Sequence, residues 1–155
     1  MKQHRFYQNI VFNSQAIIKL SDKVANHIGR VLRMKADQTI CLFNGDNQEC
    51  IASLQEVEKR SVTVKLGEVV NCSRGSDFQI TLIQATSKGE RFDLVVQKAV
   101  ELGVHKIIPI ITHRNELRLK PETKQKKIQY WQSIIESASE QCGRNQLMIL
   151  DDIIS

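Results

Sequence analysis

The sequence predicts an α+β chain in two parts, a small, mostly β module followed by an incomplete α/β unit, and three observations carry that reading. Short apolar stretches separated by turn residues run up to Leu66, strands and helices then alternate from Phe78 onward, and a polar, aperiodic stretch at residues 71–77 lies between them.

In the first part, residues 6–20 alternate short apolar and polar runs, and residues 39–43, 51–54 and 61–66 read as strands. The turn chemistry is clearest at Asn44-Gly45-Asp46-Asn47. One helix interrupts the β pattern: Val24, Ile28, Val31 and Leu32 recur at helical spacing as its buried stripe, with Ser21 or Asp22 available as cap. The second part reads as a strand at 78–84, a helix at 89–102, a strand at 106–111, a helix at 122–142 and a strand at 147–150, an alternation that points to a parallel sheet. Ser87-Lys88-Gly89-Glu90 has capping-box spacing, and Gly103 stands where a left-handed helix stop belongs. In the later helix Ile128, Trp131, Ile135, Ala138 and Cys142 form the buried stripe, and Gly143 follows as the stop. Pro109 lacks a ladder donor, so its strand is expected to be short or bulged. Residues 151–155 read as a cap and the beginning of another helix. A three-stranded parallel unit leaves one edge and one face uncovered, which further chain or a partner is expected to complete.

Composition narrows the function classes. A quarter of the 155 residues are charged and 41% are apolar, the balance of an ordinary globular protein. The N-terminus has no apolar run of a signal peptide, and no stretch is long enough to span a bilayer, so a cytoplasmic location without membrane association is the default expectation. Cys41, Cys50, Cys72 and Cys142 form no CxxC pair, and neither a metal site nor a disulfide framework is indicated. Up to Ser76 there are 11 Lys and Arg against 7 Asp and Glu, and beyond it 11 against 10. The positive excess therefore sits at the front, a bias suited to an anionic partner.

His27, Arg30 and Arg33 follow one another at spacing three, on the side away from the apolar stripe. They suit a phosphate-gripping surface, although spacing alone favours the simpler reading of a solvated helix face. Lys88 before Gly89 stands at a strand-to-helix junction, where backbone N–H groups can meet an anion. Arg114 follows a strand end, a favoured ligand address in parallel sheets, and Glu140, Gln141 and Arg144 cluster at the end of the last helix. Gln97, Lys98 and Glu101 are spaced for a local ion pair. The seven glycines never cluster, which excludes a dinucleotide fingerprint and a P-loop, and neither GxSxG nor HExxH occurs.

The strings His27-Ile28-Gly29-Arg30-Val31-Leu32-Arg33-Met34 and Leu42-Phe43-Asn44-Gly45 resemble the N-terminal signature of the ribosomal RNA small subunit methyltransferase E (RsmE) family. So do Ser87-Lys88-Gly89-Glu90, Gln97-Lys98-Ala99-Val100-Glu101-Leu102-Gly103-Val104, Arg114, and Glu140-Gln141-Cys142-Gly143-Arg144, in the family's order. The resemblance implies a PUA-like RNA-binding β-barrel over residues 1–74 and the N-terminal portion of a knotted SPOUT-type methyltransferase domain over 77–155. It also implies methylation of uridine N3 in 16S ribosomal RNA with S-adenosylmethionine, the rRNA or small ribosomal subunit as partner, and a homodimer of the complete protein. Carried over by motif, Arg114 and Arg144 are the candidate catalytic residues, and Arg5, His27, Arg30, Arg33 and Lys88 the candidate RNA contacts. His113 replaces a glutamate often found before the matching arginine. The family's donor-binding G-P-E-G-G and L-R-x-E-T-A segments have no counterpart before Ser155, so this chain is expected to hold no cofactor-binding residue and to be inactive alone. Two other readings stay open at this level, a catalytically silent RNA-binding module and an interaction protein whose sheet another chain completes.

Overall fold

The computed structural model describes residues 3–75, 78–87, 90–112 and 120–154. The chain divides into two compact units, Met1–Arg74 and Gly75–Ser155.

The first unit contains β1 (Arg5–Tyr7), β2 (Ile17–Lys19), α1 (Asp22–Asn26), a π-helical turn (His27–Leu32), β3 (Thr39–Phe43), β4 (Gln48–Val57) and β5 (Val62–Asn71). They form one sheet in the order β1-β3-β4-β5-β2, in which only β1 and β3 run parallel. Alternate residues point inward, so Ile40, Leu42, Leu54, Val64 and Leu66 close a core that Ile28 completes from the π-helical turn. The β3–β4 turn follows the sequence signal. Asn44 Oδ1 accepts the N–H groups of Asp46 and Gln48 at 2.9 and 3.2 Å, while Gly45 and Asn47 take the left-handed φ values of 83° and 58° that close it.

Between β4 and β5 the register shifts twice, and at the first shift Gly67 and Glu68 stand opposite Ile51 alone. A Cβ on Gly67 would lie 2.6 Å from the Ile51 carbonyl oxygen, which the paired backbone holds in place. Gly67→Ala is expected to destabilise the first unit by about 2 kcal/mol through this overpacking, seen as a lower urea midpoint by circular dichroism.

One expectation for this unit is corrected. Val31, assigned to the buried stripe, is 67% exposed, while Val24 and Ile28 are buried as expected. The helix widens after Asn26, so that the Arg33 N–H reaches back five residues to the Ile28 carbonyl and Val31 rotates off the core face.

The second unit contains β6 (Thr81–Ala85), α2 (Arg91–Glu101), β7 (Lys106–Ile110), α3 (Pro121–Cys142) and β8 (Ile149–Leu150), with the strands parallel in the order β6-β7-β8. Phe92, Val96 and Val100 of α2 and Trp131 and Ile135 of α3 pack with Ile107 of β7 in a single core. Residues 107 and 109 of β7 are buried and 106, 108 and 110 only partly so, which places both helices on one face of the sheet. Gly103 and Gly143 take φ values of 85° and 89°, the left-handed stops their positions suggested. The proposed capping box includes Lys88 and Gly89, which lie outside the described residues.

Pro109 sits in the central strand without a bulge, paired with Gln84. Its carbonyl accepts from Ile154 and that of Ile107 from Asp151, so the side on which Pro109 lacks an N–H is the side where β8 pairing lapses after Leu150. The chain end is the second correction. Ile154 donates to Pro109, accepts from Ile111 and bridges Ile110 in parallel, so these residues extend the sheet and do not begin a helix.

Candidate functional site

The π-helical turn carries the first group of candidates. Gly29 makes its position possible, because a Cβ there would meet the Glu58 carbonyl oxygen at 2.6 Å, so the turn packs backbone to backbone against the β4–β5 connection. His27, Arg30 and Arg33 are all exposed on this short segment. The His27 ring lies edge-on to Phe6 at 5.6 Å between centroids, which anchors the start of the turn to β1. Arg33 ends it in a left-handed conformation with φ 52°. Single π turns are rare and concentrate at functional sites, so the segment predicted to grip phosphate is also locally the most unusual backbone of this unit.

Arg5 is placed differently, with its side chain only 14% exposed. Its Nη1 donates to Glu49 Oε2 at 2.9 Å, and the guanidinium lies 5.0 Å above the Phe43 ring. Glu49 also receives Arg74 Nη2 at 2.6 Å on its other oxygen. That hydrogen bond is the main cause raising the Arg74 pKa above its usual value. Two guanidinium groups thus share one carboxylate, and the cluster keeps a net positive charge. Neither Glu49 nor Arg74 was singled out from sequence: Arg74 sits in the stretch that reads as a linker, and the only signal for Glu49 is an acid inside a strand. Burial raises the nearby Cys41 thiol pKa, against the Arg5 charge that lowers it.

In the second unit Gln97 and Lys98 both donate to Glu101, at 2.9 and 2.7 Å, the expected local arrangement. These bonds, Lys98 first, hold the Glu101 carboxyl below its usual pKa. Arg144 is buried, and its Nη1 donates to the carbonyls of Val100 and Val104 at 3.2 and 2.8 Å, around the end of α2. Burial lowers its pKa. Its neighbour Gln141 is exposed and Glu140 partly so. Lys88 and Arg114 lie outside the described residues. A groove of about 630 Å³ beside α2 and α3 is lined by Glu90 and Asp93 as well as Arg91, an unfavourable setting for phosphate. The structure therefore gathers His27, Arg30 and Arg33 on one exposed segment, and gives Arg5 and Arg144 internal partners.

Comparison with known proteins follows this two-unit division. Residues 74–155 match the family described as RNA methyltransferase domain, and residues 20–67 match the RNA methyltransferase PUA domain. The chain is 31% identical over 137 residues to the ribosomal RNA small subunit methyltransferase E of Bacillus subtilis, covering 88% of this chain and 53% of that protein. With the enzyme of the same name from Buchnera aphidicola of Acyrthosiphon pisum the identity is 30% over 126 residues, covering 81% and 50%. The chain spans about half the length of these curated relatives. Among solved structures, a Legionella pneumophila methyltransferase in complex with the cofactor SAM superimposes with a TM-score of 0.95 at 41% identity, over 100% of this chain and 64% of that one. The Neisseria gonorrhoeae ribosomal RNA small subunit methyltransferase E bound to S-adenosyl methionine gives 0.94 at 35%, over 99% and 63%.

Proposed function

This chain belongs to the RNA methyltransferase domain family, and from that premise we propose that the whole protein transfers a methyl group from S-adenosylmethionine to uridine N3 of 16S ribosomal RNA. Its fold is a PUA-like barrel followed by the first part of a SPOUT-type α/β domain. The observation that carries the reading is that both family matches occur in order along one chain that superimposes throughout on structures of SAM-bound methyltransferases.

The first unit supplies RNA recognition, with His27, Arg30 and Arg33 as the backbone-contacting groups and the Arg5–Glu49–Arg74 cluster adding to the positive charge of the same unit. Lys88 is proposed as a further RNA contact and Arg114 as the group facing the reacting base. Arg144 is assigned a positioning role, since its guanidinium serves the end of α2. A homodimer in the cytoplasm, acting on the small ribosomal subunit or its rRNA, completes the proposal.

The described residues at the carboxyl ends of β6 and β7 do not by themselves fit the methyl donor. Thr86 Oγ1 donates to the Ile110 carbonyl at 3.3 Å, and Ile110 and Ile111 add apolar surface, which leaves no donor-and-acceptor set for the adenine, ribose and amino-acid groups. No step of the transfer is therefore assigned to them.

The test is a methylation assay. The full-length protein, given methyl-labelled S-adenosylmethionine and 16S rRNA or small subunits lacking the modification, is expected to place label on N3 of a uridine, read by nuclease digestion and mass spectrometry. Label on another atom or base, or none, would overturn the reading.

A further inference from the structure

Apart from the exposed arginines, the first unit holds a cleft of about 640 Å³ between the residues entering β1, Gln3 and His4, and the segment from Leu32 to Thr39. Its size falls in the range of small-ligand sites. The parallel pairing of β1 with β3 brings these distant stretches together, and the His4 carbonyl accepts the Cys41 N–H at 2.9 Å.

The rim is fixed in an unusual conformation. Arg33 and Asp37, both non-glycine, have φ values of 52° and 68°. The Arg33 N–H is held by Ile28, the Asp37 N–H by the Leu54 carbonyl at 2.9 Å, and the Gln38 carbonyl by the Leu54 N–H at 2.9 Å. Left-handed residues persist where surrounding bonds over-determine them, and they cluster at ligand sites. The rim is thus ordered before any ligand arrives, which lowers the cost of binding.

The chemistry is mixed in a telling way. Arg33 and Lys35 make this edge basic, yet Asp37 lines the cleft and its carboxylate forms no ion pair among the described residues. A lone carboxylate repels phosphate, so it weakens plain backbone binding. Its use is as an acceptor for N–H groups. Gln38 is the complement: its Oε1 accepts the Lys35 N–H at 2.9 Å, which commits the oxygen and leaves the amide donors for a ligand. Leu32 and Met34 provide apolar surface beside them.

We propose that this cleft holds one unpaired guanosine of the RNA, its base edge read by Asp37 and Gln38 and its phosphate gripped by Arg33. Of the four RNA bases, guanine alone presents two adjacent N–H donors, at N1 and N2, next to a carbonyl acceptor, the pattern that matches a carboxylate and an amide donor. The inference rests on RNA being the substrate, as proposed above, and adds which nucleotide the first unit reads.

The experiment measures fluorescence anisotropy of the 155-residue chain with a single-stranded RNA of about ten nucleotides, one guanosine among uridines, and with the same RNA carrying inosine, which lacks the 2-amino group. The guanosine oligomer is expected to bind about tenfold more tightly. Asp37→Asn keeps a residue that tolerates a left-handed backbone and removes a negative charge. Gln38→Glu keeps the oxygen that caps Lys35, loses the amide donors and adds a negative charge. General electrostatics therefore move the two variants in opposite directions, whereas this site predicts that Asp37→Asn, which loses the acceptor for the 2-amino group, loses the preference over inosine, and that Gln38→Glu, which faces the O6 both bases carry, weakens both oligomers alike and keeps it. Melting curves matching the unaltered chain show that the variants fold. Equal affinity of the unaltered chain for the two oligomers, or a preference that survives in folded Asp37→Asn, overturns the cleft while leaving RNA binding intact. Absence of any RNA binding by the unaltered chain overturns both the cleft and the RNA-substrate reading.

Discussion

Trp131→Ala is expected to cost the second unit about 4 kcal/mol of unfolding free energy, the upper range for removing a large buried aromatic group. Trp131 is 1% exposed and stands on α3 against α2, its ring 4.4 Å from that of Phe92 between centroids and inclined at 48°. Its Nε1 donates to Asp93 Oδ1 at 3.0 Å, and Asp93 takes the Tyr130 hydroxyl on its other oxygen at 3.1 Å. The loss therefore combines a cavity in the single core of this unit with a broken bond that joins the two helices. Trp131→Phe separates these contributions: it keeps most of the apolar volume and is expected to cost only about 1–2 kcal/mol. Urea unfolding followed by far-ultraviolet circular dichroism measures both, because tryptophan emission is removed by the substitution itself. Equal losses for the two variants would place the energy in the hydrogen bond and not in the packing.

That tryptophan was legible from the sequence, and the reason marks where sequence reading succeeds. Ile128, Trp131, Ile135 and Ala138 recur at ordinary helical spacing, and α3 is an ordinary helix with a glycine stop, so periodicity and geometry agree there, whereas Cys142, read into the same buried stripe, is exposed at the last residue of the helix. Val31 fails on the same logic, because its helix widens into a π turn and the spacing rule no longer names the buried face. Ile153 and Ile154 fail differently: alone they resemble the start of a helix, and only the free edge of β7 makes them strand-like. The exposed basic segment was visible because His27, Arg30 and Arg33 are neighbours in sequence. The cleft was not, since Gln3 and His4 meet Asp37 and Gln38 through a parallel strand pair that no local pattern encodes. For the same reason Arg5 was named only as a candidate RNA contact, although Glu49, far away in sequence, is its ion-pair partner.

Arg144→Ala is expected to lower stability by about 3 kcal/mol, a large effect for a residue that motif resemblance assigns to chemistry. The buried guanidinium donates to Val100, in the last turn of α2, and to Val104 just beyond it, adding a side-chain donor to a Val100 carbonyl that also accepts the Gly103 N–H at 3.1 Å. The Val100 carbonyl belongs to the negative end of the helix dipole, so a positive charge there supplies both hydrogen bonds and electrostatic compensation. Against this, burial lowers the arginine pKa, and its Nε is buried without a hydrogen-bond partner among the described residues. The net is therefore smaller than a buried charge pair would give. Arg144→Lys retains the charge but not the planar fork and is expected to recover roughly half of the loss. Urea midpoints of the 155-residue chain measure these differences. If Arg144 instead touched the reacting base, the alanine variant would keep its midpoint and the full-length protein carrying it would lose turnover alone. A fall in stability that Lys partly restores, with methyl transfer recovering in step, identifies Arg144 as the residue that positions the end of α2.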